Sequence, residues 1–216
     1  MAYNYKRLTL TSNPLADPNF DLSKFMESRA PVHPSRSYNM IDNIDELLSP
    51  ELLAQLEEIN LKSSFAIVFA GSQTTSTDDE SLIHYDLTTH NGEWVSVPFA
   101  INWELNSSIY STVKWYDTSG LVGTPLVETP KTHHLNVFHY GYVGKSGRAV
   151  PEIIDQVIVD SESDRSPVLF NTSQAHTVSY STPEPLRAVL SLRFSIDDIS
   201  TWDDAVTKFQ KFIRED

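Results

Sequence analysis

His84-Tyr85-Asp86, His176 far downstream, and Arg187 shortly after it are the residues of this chain whose types and order could do chemistry. Two histidines and one carboxylate can occupy one triangular face of a six-coordinate iron(II), leaving three positions open for a bidentate ligand and dioxygen. An arginine beside the second histidine's strand could hold the far carboxylate of an organic acid chelated to that ion, because its planar fork matches a carboxylate. A histidine two residues from an aspartate is common by chance. The ordered set carries the signal.

Alternate residues of a strand face one side. On a strand over Ser81–Thr88, His84 and Asp86 therefore point together and Tyr85 points away. The third ligand must then come from a strand distant in sequence and adjacent in space. His176 opens such a strand, directly after a short strand and polar turn in PVLFNTSQA. His90, His133, His134 and His139 are its rivals. His133 and His134 lie in a Pro/Thr-flanked stretch that suits a loop. His139 lies on a strand and has Arg148 beyond it, but few strands separate it from His84. His176 is the preferred ligand.

In PLRAVLSLRFS, Arg187, Val189, Ser191 and Arg193 share one strand face, and Ala188, Leu190, Leu192 and Phe194 share the other. The second set reads as packing. The first places two arginines and a serine on a face otherwise expected to be apolar. Burying a guanidinium is costly unless a carboxylate meets it. The partner is either a bound dicarboxylate or one of the chain's 29 acidic residues. Arg187 is the first choice of anchor because it lies beside the strand of His176, and Arg193 is the alternative.

These residues need strands to position them, and the pattern supplies them. From Ser63 on, short β segments alternate with turn residues: Phe65–Ala70, Ser81–Thr88, Val95–Leu105, Ser111–Tyr116, Leu135–Val143, Ile153–Val159, Val168–Asn171, His176–Tyr180 and Arg187–Ser195. Many short strands of this kind predict a mainly β sandwich or barrel. Ser49 and Pro50 predict a helix start, with Leu52, Leu53, Leu56 and Ile59 on one face. Thr201 and Asp204 form a capping pair for a closing helix whose stripe is Val206, Phe209, Phe212 and Ile213. A short helix is also expected around Leu22–Met26. The predicted organisation is one domain over 1–216: an N-terminal extension with supporting helices over 1–62, a β core over 63–196, and a C-terminal helix over 197–216.

Composition excludes several classes. Sixteen basic against 29 acidic residues give a net charge of -13, so nucleic acid is not an expected partner. With no cysteine, disulfides, zinc–thiolate sites, iron–sulfur clusters and thiol nucleophiles are ruled out. The N-terminus lacks an apolar signal region and no run suits a membrane span, so a soluble, cytoplasmic protein without a membrane partner is expected.

Taken together, His84, Asp86, His176 and Arg187 resemble the iron(II)- and 2-oxoglutarate-dependent dioxygenases, whose double-stranded β-helix (a cupin-like jelly roll) carries a histidine–x–acid pair, a distal histidine and then a basic residue. The stretches VPFAINWELNSSIYSTVKWYD and LFNTSQAHTV with RAVLSLRF look like strands of small microbial and phage-type members. The resemblance covers roughly Phe65 to Ile196 and implies a jelly roll with flanking helices. In that fold the histidine–acid pair lies on the second core strand and the distal histidine on the seventh. The resemblance further implies that His84, Asp86 and His176 bind Fe(II), that 2-oxoglutarate chelates it, and that Arg187 clamps the cosubstrate's other carboxylate. Asn102, facing inward with Ala100 and Glu104, is a candidate hydrogen-bonding partner of the cosubstrate or else a strand-end amide bonded to backbone. Trp103, Trp115 and Tyr116 read as core.

The implied reaction consumes O2, releases succinate and CO2, and hydroxylates a small molecule or a peptide or protein side chain. Halogenating relatives replace the acid with a small residue, so Asp86 implies hydroxylation. Two other readings remain open: a non-redox, metal-dependent cupin-type enzyme, which typically gathers a histidine-rich first cluster, and a non-catalytic jelly-roll binding or structural protein.

Overall fold

A computed structural model describes residues 4–17, 19–20, 36–41, 44–71, 83–105, 110–119, 138–141, 152–160, 164–180 and 187–215. The strands are β1 (Tyr5–Arg7), β2 (Arg36–Ile41), β3 (Ser63–Gly71), β4 (His84–His90), β5 (Glu93–Ser96) and β6 (Phe99–Glu104), followed by β7 (Tyr110–Asp117), β8 (Phe138–Gly141), β9 (Glu152–Asp160), β10 (Val168–Asn171), β11 (His176–Tyr180) and β12 (Arg187–Phe194). Among the described residues, two α-helices, α1 (Pro50–Glu57) and α2 (Trp202–Phe209), and two short 3-10 helices, Ile44–Glu46 and Gln210–Phe212, complete the elements. The class is mainly β, as the spacing of the short apolar segments predicts.

The strands form two antiparallel sheets. The first runs β1-β10-β6-β12-β3-β2, and the second β5-β4-β11-β7-β9 with β8 also on β4. Neighbours in a sheet are mostly remote in sequence, so the sheets interleave along the chain.

Alternation on β12 decides what each face of the first sheet does. Ala188, Leu190, Leu192 and Phe194 are buried on its outer face, where Leu190, Leu192 and Phe194 join one apolar cluster with Leu52 and Leu56 of α1 and Phe209 of α2. Burying each large side chain stabilises by roughly 1.5–3 kcal/mol, so this face anchors both helices. Ser49 caps α1, its Oγ accepting from the Leu52 amide at 3.2 Å. Thr201 caps α2, its Oγ1 accepting from the Asp204 amide at 3.1 Å. The indole of Trp103 donates to the Thr11 carbonyl at 2.9 Å and stays paired inside the cluster.

The inner faces of the two sheets meet through a smaller cluster of Val113, Trp115, Val159 and Phe170. The Trp115 and Phe170 ring centroids are 5.0 Å apart, and the Trp115 indole donates to the Asn171 carbonyl at 3.0 Å. As the sequence implies, both tryptophans are core.

Three features depart from the expected plan. Val95–Leu105 is two strands, because Pro98 has no N–H to give the ladder and the Val97 amide turns to the Asp86 carbonyl at 2.9 Å. β5 returns on β4 through a two-residue turn in which Asn91 (φ 52°) and Gly92 (φ 82°) are both left-handed, as hairpin twist requires. The first third of the chain adds two strands to the first sheet, β1 on β10 and β2 on β3. The expected helix at Leu22–Met26, and His133 and His134, lie outside the described residues.

The chain's two flanks also join. Leu8 and Ile213 form an antiparallel bridge, the Thr9 amide donates to the Phe212 carbonyl at 2.7 Å, and the Arg214 amide to the Arg7 carbonyl at 2.9 Å. Asp164, just before β10, receives Arg7 Nη1 at 2.8 Å and Arg214 Nη1 at 2.7 Å. Among the described residues, no helix is long and apolar enough to cross a membrane.

Candidate metal centre

β4 and β11 meet at one register pair among the described residues, His84 opposite His176. Their ring centroids are 4.4 Å apart. Asp86, two residues along β4, faces the same side by strand alternation. One ligand atom from each of the three lies within 4.8 Å of the others. Asp86 and His176 are buried, and His84 is half-buried.

The turn between β10 and β11 places His176. Asn171 Oδ1 accepts from the Ser173 amide at 3.0 Å, the Ser173 hydroxyl at 2.7 Å and the Gln174 amide at 3.2 Å, an Asx turn that closes the corner. Its Nδ2 donates to Asn4 Oδ1 at 2.7 Å. Gln174 in turn donates from its side chain to the Tyr116 carbonyl. His176 Nδ1 lies 2.9 Å from the Gln174 carbonyl. A carbonyl can only accept, so Nδ1 carries the proton and Nε2 keeps its lone pair, which suits a metal ligand. Phe170 packs edge-on against the same ring, centroids 5.0 Å apart.

Asp86 is held through its backbone. Its amide donates to the Thr172 carbonyl at 3.2 Å and its carbonyl receives the Val97 amide at 2.9 Å. The Thr172 hydroxyl donates to the Val97 carbonyl at 2.7 Å. The carboxylate itself lies between two groups. Oδ1 is 3.8 Å from His84 Nε2, and Oδ2 is 2.7 Å from Arg193 Nη1.

The donor set fits a divalent transition metal. Ligand bonds of roughly 2.1 Å put facial donors roughly 3 Å apart, so small side-chain rotations would close this set around one ion. Three protein ligands on one face leave the opposite positions for exogenous ones.

Across from the triad, the inner face of the first sheet carries Asn102 and Ser191, which are directly paired in register. Asn102 Oδ1 and Ser191 Oγ are buried and make no hydrogen bond among the described residues. Buried polar atoms are rarely left so in a native fold, and two side by side mark a place for a polar ligand or water. The alternative for Asn102, a backbone-bonded amide, leaves its carbonyl oxygen unexplained.

Arg187 opens β12 opposite Gly71 and lies on the same strand face as Ser191 and Arg193. His90 sits at the far end of β4, its Nε2 3.4 Å from Asp197 Oδ1, outside the cluster. Among the rivals, His139 lies on a strand next to the triad: β8 pairs with β4 and puts His139 opposite Asp86 in register, while His176 completes the cluster found among the described residues. Leu87 pairs with both Ser96 of β5 and Phe138 of β8, and His84 with both His176 and Gly141, so β8 takes the edge of β4 that β5 and β11 leave open.

Sequence reasoning missed the supporting residues Asn171, Thr172 and Gln174. The Asn-Thr-Ser run was a usable signal for the turn. An internal acidic partner was one of the two expected for an inward arginine, and for Arg193 it is Asp86; which acid it would be had no local signal, because the pair joins strands from different sheets. No model of a known protein family matches the chain, and no curated protein shows significant sequence similarity to it.

Proposed function

We propose that the chain is an iron(II)- and 2-oxoglutarate-dependent dioxygenase built on a double-stranded β-helix, hydroxylating a small molecule or a peptide or protein side chain. The observation that carries this reading is the convergence of His84, Asp86 and His176 on one inner sheet face, opposite the polar atoms of Asn102 and Ser191 that have no partner among the described residues.

The strand order supports the fold. Leaving aside β1, β2, β5 and β8, the first sheet reads β10-β6-β12-β3 and the second β4-β11-β7-β9. This interleaving supports the jelly-roll reading, in which the histidine–acid pair would lie on the second strand and the distal histidine on the seventh.

Charge supports an anionic cosubstrate. Arg193 already meets the charge of Asp86, so a divalent ion bound by this set keeps its charge uncompensated and favours an anionic chelate. Arg193 is thereby committed near the metal ligands, which leaves Arg187 as the anchor for a distal carboxylate. The two lie on one face of β12, roughly 20 Å apart along the strand, a span that long side chains and a five-carbon diacid can share. Asn102 and Ser191 lie between them in register and would hydrogen-bond the cosubstrate. Phe170 and Trp115 exclude water from the histidine side of the site.

Bound iron would supply the redox chemistry that couples decarboxylation of 2-oxoglutarate to oxygen insertion into a substrate C–H bond. The protein's residues bind, orient and keep the site dry.

Anaerobic titration with iron(II) and 2-oxoglutarate tests the reading. The weak visible charge-transfer band of the chelate is expected with the wild type and lost in His176→Ala. No band with the wild type, or an unchanged band in the variant, overturns it.

A further inference from the structure

We propose that Arg193 is a positioning residue of the metal centre, turning the Asp86 carboxylate so that a single oxygen faces the two histidines. This rests on the metal-centre reading above and adds a residue to it.

The backbone of Asp86 is fixed on both sides, but its carboxylate is not fixed thereby, because rotation about the last side-chain bond of an aspartate is broad. Arg193 supplies a restraint on it. Its Nη1 lies 2.7 Å from Oδ2, with each side chain 3% exposed, so the attraction acts in a low-dielectric interior. Oδ1 is left on the side of His84, 3.8 Å from its Nε2. One oxygen is thus occupied by the arginine and the other is offered to the ion. A carboxylate binding through both oxygens would consume a coordination position that a chelating ligand needs.

The burial of the arginine points the same way. Arg193 Nε and Nη1 are both buried, and neither makes a hydrogen bond among the described residues, so the ion pair with Asp86 is the contact that accounts for the burial of this guanidinium.

A role limited to charge predicts the opposite outcome for the metal. Removing a nearby cation should tighten the hold of Asp86 on a divalent ion, whereas removing a positioning group should loosen it.

Cobalt(II) is a suitable probe, since its visible d–d bands report both occupancy and ligand geometry. Wild type, Arg193→Met and Arg193→Lys are titrated, with circular-dichroism melts as the fold control. Arg193→Met is expected to bind cobalt about 10- to 100-fold more weakly and to alter the d–d pattern. Arg193→Lys keeps the charge but not the fork, and should show the altered bands with an affinity between the other two. Wild-type bands and affinity in either folded variant, or tighter binding in Arg193→Met, overturn the proposal. If Arg193→Met does not fold, the lysine variant decides on the same criteria. Failure of the wild type to take cobalt, or equal uptake by His176→Ala, instead sinks the metal-centre reading itself.

Discussion

His84 and His176 are cross-strand neighbours at the position where β4 and β11 are paired. Beyond it the strands part: β11 stays on β7 along its other edge, while β4 takes β5 in place of β11. The two imidazoles therefore stand at a fork in the sheet, brought together by main-chain pairing and not by a loop. Their spacing is set before any ion arrives.

Metal binding should consequently stabilise the folded chain. A ligand present at about 100 times its Kd adds about 2.7 kcal/mol, which for a chain of this size raises Tm by roughly 5–10 °C. Differential scanning fluorimetry with iron(II) or cobalt(II) should show that rise for the wild type and none for His176→Gln.

The buried Asp86–Arg193 pair makes a second expectation. Removing one partner leaves an uncompensated buried charge, at a cost of about 3–5 kcal/mol. Urea denaturation should show Asp86→Leu destabilised on that scale, with most of the loss recovered in the double variant Asp86→Leu/Arg193→Met. Additive losses would mean that the two groups do not act as a pair.

Arg187 and metal binding should separate cleanly. Loss of a charged hydrogen-bonding pair costs about 1.5–3 kcal/mol, so Arg187→Ala should weaken 2-oxoglutarate roughly 10- to 100-fold with cobalt affinity nearly unchanged. If Arg193→Ala has that selective effect on the cosubstrate instead, the anchor is misassigned.

Much of the site was legible because strand alternation is local. His84 and Asp86 share a face for the same reason that Arg187, Ser191 and Arg193 do, and that period of two reads directly from the chain. β10 and β11 match their expected bounds for the same reason. What failed to show was pairing between remote segments. Nothing in the composition of residues 5–7 or 36–41 says that they add to the first sheet, since edge strands are chosen by what they lie beside. The approach of β8 to β4 and the contact of Arg193 with Asp86 likewise depend on strand order, which one sequence does not encode locally. The β4–β5 hairpin is a different case, because Asn91-Gly92 is a strong local turn signal that sat unused inside the chain.

Acid should loosen the junction around Asp164. Burial alone would raise its pKa, but hydrogen bonds from Ser166 and Arg214 and the charge of Arg7 outweigh that and lower it from 3.8 to about 2. A lowered pKa means the folded state favours the ionised form. Its stabilisation is complete above about pH 4 and is lost as pH falls through about 2. Melting temperatures of wild type and Asp164→Asn should therefore differ at neutral pH and converge near pH 2. A gap that persists there would refute the ionic origin.

Phe209 tests the outer core. It is fully buried, with ring centroids of Phe99 and Phe194 at 5.9 and 6.1 Å. Phe209→Ala should cost about 3–5 kcal/mol, and Tm should fall by roughly 6–20 °C. Cobalt binding at the inner face should survive below that melting point.

The bridge between Leu8 and Ile213 carries a consequence for biosynthesis. A segment translated early finds its partner in one translated late, so the Thr9 amide must wait for Phe212. Pairings this remote in sequence are slow to close. While the ribosome is still adding α2, Arg7 and Asp164 lack their contacts to Arg214. The nascent chain would thus hold an unfinished sheet edge until the segment after α2 has emerged, the interval in which a chaperone would matter most.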